Sequence, residues 1–445
     1  MQVTPGIFKT YDIRGIWGKD LTPEIAKAIG KAYATFLQPK RIVCGHDVRN
    51  SSPALSEALM DGMSSGGVEV TDIGLVTSDA LYFAVGKHGF DGGAMVTASH
   101  NPPEWNGVKL TRDRAIPIVG DENKTIGRIV ERESFASVDG PGKRLSFDIA
   151  AQYIAQVLSF STHEAGRSMK VVIDAGNGTV IPFLPAIMAK LPFAWEGMNM
   201  TPDGNFPGRN PNPLAEGALD GLQRRIVATT ADVGVAFDAD ADRMFFLDEH
   251  GERVLGDVLT ALLAKQFLRQ HPGSTIVYNL ISSHMVPEEI LKAGGKPIRS
   301  AVGHAHMKPA MRQRQAVFGG EISGHYFFRD HYYADSGLIA MVVGLSYLNQ
   351  QDKPLSELVR EIDVYAHTAE VNSAVEDIPG TLAKIKAAYQ GGQLDETDGV
   401  TVEYRDWWFN VRPSNTEPLL RLSVEAKTPA EMERRRDEIL RIIRG

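Results

Sequence analysis

The chain has 445 residues, 47 Lys and Arg against 55 Asp and Glu, and a net charge of −8, which argues against a general nucleic-acid binder with its basic stripe. With 43% apolar and 23% charged residues it has an ordinary globular composition, and at ~150 residues per domain its length suggests about three domains. The single Cys44 excludes an intramolecular disulfide and a multi-cysteine zinc site, and leaves a reducing, cytoplasmic location as the expectation.

The first residues lack the basic and apolar regions of an export signal, and Thr10-Tyr11-Asp12-Ile13-Arg14-Gly15 sets a phenol beside a guanidinium. Residues 41–47 form an apolar run that predicts a buried strand. Residues 51–65, with Leu55, Ala58 and Leu59 spaced for one face, predict a helix. Strands are expected at 67–71 and 93–97, then a boundary at the Gly/Pro/Lys stretch 139–143. A second set opens with a strand at 169–174 and the turn Ala175-Gly176-Asn177-Gly178, and ends with a strand at 232–237. After a turn at 250–252, a third set has strands at 274–278 and 296–298; its apolar run 338–345 is too short to span a bilayer. Strand, helix and strand in repetition argue for parallel sheets. Beyond a boundary near 352–354 the pattern changes. Residues 369–373, 399–404 and 421–426 alternate as half-exposed strands, and Thr428-Pro429-Ala430-Glu431 opens a last helix with cap and first-turn proline chemistry. The tail is thus a small α+β domain, which raises the expected count to four: 1–145, 146–250, 251–360 and 361–445.

Five segments carry chemistry. In Asp238-Ala239-Asp240-Ala241-Asp242-Arg243, directly after an apolar strand, an extended loop would turn three carboxylates to one side, and hard oxygens suit Mg²⁺ or Ca²⁺. An EF-hand is excluded because Arg243 stands where its sharp turn needs glycine and Met244-Phe245-Phe246-Leu247 continues as a strand. Arg243 instead suits a phosphate-bearing ligand. Thr97-Ala98-Ser99-His100-Asn101-Pro102-Pro103 exposes a serine on a proline-locked loop at a strand end, with Lys109 placed shortly after to offer positive charge to a phosphoryl group. Gly319-Gly320-Glu321-Ile322-Ser323-Gly324-His325 frames Glu321 and Ser323, groups suited to sugar hydroxyls, without the ending of a P-loop. Arg412-Pro413-Ser414-Asn415-Thr416-Glu417-Pro418 has the make-up of an oxyanion cradle, and Tyr11 with Arg14 completes the set.

Taken in chain order, from Tyr11-Asp12-Ile13-Arg14-Gly15 to Arg412-Pro413-Ser414, the five segments resemble the α-D-phosphohexomutases, most closely the phosphomannomutase/phosphoglucomutase branch, across almost the whole chain. The resemblance implies three related α/β domains with mixed sheets and a C-terminal α+β domain around a central cleft. It implies that Ser99 is a phosphoserine that passes its phosphoryl group to a hexose monophosphate. The hexose 1,6-bisphosphate so formed, also the activator, reorients and returns its other phosphoryl group. The net reaction would interconvert mannose 6-phosphate and mannose 1-phosphate, and glucose phosphates as well. Asp238, Asp240, Asp242 and the phosphate of Ser99 would hold one Mg²⁺. Glu321 and Ser323 would contact the sugar, and Arg412, Ser414, Asn415 and Thr416 would grip the non-reacting phosphate. Tyr11, Arg14, His100, Lys109, Arg243 and His304 match positions of phosphate contact or proton transfer. Several relatives carry a lysine where this chain reads Asn279-Leu280-Ile281, which shifts general acid/base work toward His304. The Tyr11-Asp12-Ile13-Arg14-Gly15 and Thr97-Ala98-Ser99 forms favour hexose over glucosamine phosphates. A phosphoglucosamine mutase and a non-catalytic phosphosugar-binding protein are the alternatives. The expected partners are phosphohexoses, with neither nucleic acid nor membrane, in a monomer or homodimer.

Overall fold

The computed structural model describes residues 3–4, 6–162, 166–414 and 419–445. They form two compact units, Met1–Leu255 with Ser323–Ser356, and Gly256–Ile322 with Glu357–Gly445. No helix among the described residues is long and apolar enough to cross a membrane.

The first unit opens with a sheet whose central strands, Gly92–Val96, Arg41–His46 and Glu69–Leu75, run parallel. Helices Pro23–Leu37 and Ser52–Ser65 pack against one another through two glycines. A Cβ on Gly30 would lie 2.2 Å from the carbonyl oxygen of Leu59, and one on Gly62 would lie 2.0 Å from that of Lys27. Only glycine permits that separation. The sheet is mixed, as the resemblance implies, where the strand–helix–strand repetition alone points only to its parallel neighbours. Trp105–Arg112 runs antiparallel beside Gly92–Val96, and Ile13–Ile16 runs antiparallel beside Trp105–Arg112. Neither antiparallel strand carries a sign of direction in its sequence: Trp105–Arg112 mixes buried Asn106, Lys109 and Thr111 with apolar residues, and Ile13–Ile16 is only four residues long.

A second sheet in this unit follows the same plan. Val233–Phe237 and Lys170–Asp174 are parallel, Ala194–Met198 extends the parallel set, and Met244–Leu247 returns antiparallel. The hairpin Tyr326–Phe328 with Ala334–Asp335 leads into the helix Gly337–Asn349. This is the apolar run found in the sequence, and it is buried along its whole length. Ser336 caps it by accepting from Ile339 N at 3.1 Å.

In the second unit, Lys296–Ser300, Thr275–Asn279 and Phe318–Gly320 make a parallel set. The C-terminal part is an antiparallel sheet of Gln393–Asp395, Val400–Glu403, Trp407–Pro413 and Leu419–Ala426, with Ala366–His367 and Val371–Ala374 on the last strand. Its inner face packs Phe409, Val411, Leu420 and Leu422 against Ile385, Ile439 and Ile443 of helices Ile378–Ala388 and Pro429–Arg444. The capped last helix begins as expected, with Thr428 accepting from Glu431 N.

Candidate active site

Ser99 stands just beyond the fully buried strand Gly92–Val96. Its backbone is left-handed at φ 49°, an uncommon state for serine, and it is 2% exposed. The turn is held from inside, because Ser99 N donates to Thr97 Oγ1 at 2.9 Å. Strand register supplies the neighbours. Lys109 lies opposite Met95, and Arg14 lies opposite Gly107 on the next strand. A Cβ on Gly107 would come 2.3 Å from the Ile13 carbonyl oxygen and 2.7 Å from that of Thr97, so this position has no room for a side chain.

The three aspartates follow strand Val233–Phe237 and are buried. They converge on a turn rather than on the extended loop the alternation suggests, with Ala241 left-handed at φ 64°. One carboxylate oxygen from each lies within 4.8 Å of the others. Ser99 Oγ donates to Asp238 Oδ2 at 2.9 Å and lies 3.0 Å from His100 Nδ1. Asp240 Oδ2 accepts from Lys109 Nζ at 2.7 Å, Ser78 Oγ at 2.6 Å and Thr97 Oγ1 at 3.2 Å. Lys109 Nζ also donates to Asp242 Oδ2 at 2.6 Å. Arg243 Nε donates to Asp238 Oδ2 at 3.0 Å. Arg14 donates to Asp12 at 2.8 Å and to Asn101 Oδ1 at 2.6 Å. The structure therefore brings Ser99, His100, Lys109, Arg14, Arg243 and the three aspartates into one constellation. Tyr11 is half-buried on the bend before Arg14's strand.

Charge decides what this cluster can do. Burial opposes the Lys109 charge, but Asp240 and Asp242 outweigh it and hold its pKa well above the ordinary lysine range. Burial would likewise raise Asp242, yet Lys109, His325 and Arg243 draw it well below the usual carboxylate range. Asp238 moves upward, through burial and the negative charge of Asp242. Burial, then Arg243 and Arg14, keep the His100 pKa well below its ordinary value, so its ring is neutral near pH 7. Buried Asp240 Oδ1 and Asp242 Oδ1 have no hydrogen-bond partner among the described residues. Orphaned carboxylate oxygens beside a third carboxylate are the donors a hard divalent cation takes, so the cluster fits one. Arg243 Nη2, also buried and without such a partner, offers a spare donor for an anion.

The remaining expected residues lie in other places. Ser323 is in the first unit and half-buried. In the second unit, Glu321 is buried and its Oε1 accepts from Gly303 N at 2.6 Å, immediately before His304 at the start of helix His304–Arg314. Arg412 is 8% exposed and donates to Glu370 Oε2 at 2.6 Å. Glu370 Oε1 accepts from Arg421 at 2.8 Å, and Arg421 reaches Ser414 Oγ at 3.4 Å. Asn415 and Thr416 lie outside the described residues.

Sequence reasoning missed several contributors. Ser78 and Thr97 hold Asp240. His325 Nδ1 lies 3.0 Å from Asp335 Oδ2 and 3.9 Å from Asp242 Oδ1. Glu370 and Arg421 fix Arg412. His325 closes a motif already singled out and could have been found from it. Ser78 and Glu370 stand in unremarkable contexts that gave no signal.

Comparison with known proteins places the chain in a family. Family models match as phosphoglucomutase/phosphomannomutase alpha/beta/alpha domain I over residues 5–137, domain II over 151–251, domain III over 255–365 and the C-terminal domain over 370–442. A phosphomannomutase of Salmonella montevideo is 39% identical over 448 residues, covering 98% of each chain. A Xanthomonas campestris protein described as phosphohexose mutases is 38% identical and covers 98% of this chain and 99% of its own. A phosphoglucomutase/phosphomannomutase family protein from Burkholderia thailandensis superposes with a TM-score of 0.92 at 31% identity, covering 99% of this chain and 97% of its own. With all four domain models matched in order and full-length relatives at this identity, the chain belongs to the phosphoglucomutase/phosphomannomutase family.

Proposed function

We propose that the chain is a phosphomannomutase that also accepts glucose phosphates, and that Ser99 carries the transferred phosphoryl group. The observation that carries the reading is the Ser99 hydroxyl, held on a left-handed turn 2.9 Å from Asp238, whose cluster with Asp240 and Asp242 is paired with Lys109 and Arg243. A binding protein has no use for a nucleophile so placed.

In the forward direction the Oγ–P bond of phosphoserine 99 breaks while a P–O bond forms to the free hydroxyl of the hexose monophosphate. The hydroxyl proton passes to a base, for which His304 is the candidate. The hexose 1,6-bisphosphate turns over and gives its other phosphoryl group back to Ser99 Oγ. Lys109, Arg14 and Arg243 supply fixed positive charge to the phosphoryl oxygens. Glu321 and Ser323 contact sugar hydroxyls, and Tyr11 contributes to substrate binding. Arg412, held by Glu370, grips the distal phosphate with Ser414, Asn415 and Thr416, so that remote binding energy aligns the reacting end. Mg²⁺ held by Asp238, Asp240, Asp242 and the Ser99 phosphate would neutralise charge at the phosphoryl group when bound.

Intact-mass measurement of the purified chain, after incubation with glucose 1,6-bisphosphate, is expected to show one phosphate, mapped to Ser99 by peptide sequencing. Ser99→Ala should lose it together with at least ~10³-fold of turnover, while mannose 1-phosphate still binds. Near-normal turnover in that variant would refute the mechanism. Coupled assays on mannose 1-, glucose 1- and glucosamine 1-phosphate decide the sugar.

A further inference from the structure

The loop that carries Ser99 turns four backbone carbonyls toward one guanidinium. Arg49 Nη2 donates to Ser99 O and Asn101 O, each at 2.7 Å. Its Nη1 donates to Pro102 O at 2.7 Å and Trp105 O at 3.0 Å, and its Nε donates to Asp47 Oδ2 at 3.1 Å. Every N–H of the guanidinium is thereby used, and both side chains of the Arg49–Asp47 pair are fully buried.

The aspartate loop has a counterpart. Arg209 Nη2 donates at 2.5 Å to the carbonyl of Phe237, the residue before Asp238, and its Nε donates to Asp174 Oδ2 at 2.9 Å. The side chains of this pair are 5% and 2% exposed. The topology repeats too. Asp47 follows the strand parallel to the one that leads to Ser99, and Asp174 ends the strand parallel to the one that leads to Asp238. In each case an aspartate at the end of the adjacent strand holds an arginine, Arg49 on four carbonyls around Ser99 and Arg209 on the Phe237 carbonyl at the base of the aspartate loop.

One segment joins the two forks. The Phe206 ring lies 5.2 Å from the Arg49 guanidinium, and Asn205 Oδ1 accepts from Asn50 Nδ2 at 2.9 Å. A Cβ on Gly204 would fall 2.5 Å from Asn50 N and 2.7 Å from Arg49 Cα, so the segment rests directly on the Arg49 backbone. Three residues after Phe206 it supplies Arg209. Its return is pinned where Asn177 Oδ1 accepts from Gly208 N at 3.0 Å.

We infer that Arg49 and Arg209 are positioning residues for phosphoryl transfer, and that residues 203–209 couple the Ser99 loop to the Asp238–Asp242 loop so that nucleophile and carboxylates keep a fixed spacing. This rests on the reading of Ser99 as nucleophile and of the aspartates as metal ligands. A displacement of about 1 Å costs on the order of 100-fold in rate, and carbonyls gripped by a saturated guanidinium have no freedom to drift. Lysine has three donors, not five, and cannot replace the fork.

The test uses the full chain with Arg49→Lys, Arg209→Lys and Gly204→Ala. Its readouts are kcat and KM for mannose 1-phosphate, Mn²⁺ affinity by calorimetric titration, and thermal unfolding. Arg49→Lys should lower kcat about 10- to 100-fold with KM within about twofold and Mn²⁺ affinity kept. Arg209→Lys should weaken Mn²⁺ binding by about 10-fold or more. Gly204→Ala, which keeps both arginines but presses on the Arg49 backbone, should lower kcat and Mn²⁺ affinity together and so covers the case of a lysine variant that does not fold. If the variants lose stability but the folded fraction keeps wild-type kcat, KM and Mn²⁺ affinity, the arginines only support the fold and the inference falls. If instead wild-type protein takes no phosphate on Ser99, the functional reading fails, and the Mn²⁺ titrations still decide whether Arg209 and Gly204 position the aspartates.

Discussion

Lys109 shows how a single side chain sets the state of the site. It lies 2.7 Å from Asp240 and 2.6 Å from Asp242, closer to Asp242 than Arg243 or His325 at 3.9 Å. Removing one side of a buried ion pair leaves the other desolvated and unpaired, at a cost of about 3–5 kcal/mol. Lys109→Met should therefore lower the unfolding free energy by about that amount in EDTA. A divalent cation at the aspartates would replace part of the missing charge, so Mg²⁺ should recover some of the loss through mass action on the folded state. Urea unfolding in EDTA and in excess Mg²⁺ checks both statements. Equal midpoints for variant and wild type in EDTA would show that the pair carries no net stability. A Mg²⁺ response no larger than that of wild type would argue against a metal at this cluster.

Among the elements, the helix Gly337–Asn349 has the most direct bearing on the aspartate loop. Gly337 N donates to Ala241 O at 3.0 Å, and a Cβ on Gly337 would meet Ala241 O at 2.8 Å and Arg243 O at 2.9 Å. Both obstacles are backbone, so an alanine there must push the helix start and the loop apart. Gly337→Ala is expected to destabilise by about 1–3 kcal/mol, as overpacking does, and to lower kcat and metal affinity more than a stability loss of that size would. Chemical denaturation beside metal titration separates the two effects. The same helix marks how far sequence reasoning reaches. Its apolar run was plain, but an all-round apolar stretch has no face and cannot say what it packs on. Ser99 and Asp238, Asp240 and Asp242 could be read because each motif is contiguous and its chemistry lies in side chains. Arg49 and Arg209 could not, since their partners are backbone carbonyls as much as 56 residues away, and carbonyls leave no trace in a sequence. The antiparallel neighbours of the two sheets were legible only through the resemblance, because the strand patterns themselves do not state direction. The turn at Ala241 escaped because nothing in the residue type announces a left-handed backbone.

At the scale of the whole first unit, distant stretches of chain meet at one buried carboxylate. Asp79 Oδ2 accepts from Tyr153 Oη at 2.5 Å, Thr77 Oγ1 donates to that phenol oxygen at 3.1 Å, and His331 Nε2 lies 3.7 Å away, with Asp79 and His331 both fully buried. Burial pushes Asp79 up to about 6, against hydrogen bonds from Ser336, Thr77 and Tyr153 that favour its charge. A carboxyl raised in the folded state binds more protons there than in the unfolded chain. Its contribution is thus favourable below the unfolded value of 3.8 and is lost as pH rises through about 6. At 1.36 kcal/mol per pKa unit, the ionised group costs the fold ~3 kcal/mol at pH 8. Asp79→Asn cannot ionise, and its amide oxygen can still accept from Tyr153. The variant should match wild type below about pH 3.8 and exceed it by ~3 kcal/mol at pH 8, with the gain appearing as pH rises from about 3.8 through about 6. Urea unfolding across that range measures it. A difference that does not vary with pH would mean that Asp79 keeps an ordinary carboxylate pKa in the folded chain, and that the buried junction gives the unit no pH-dependent stability.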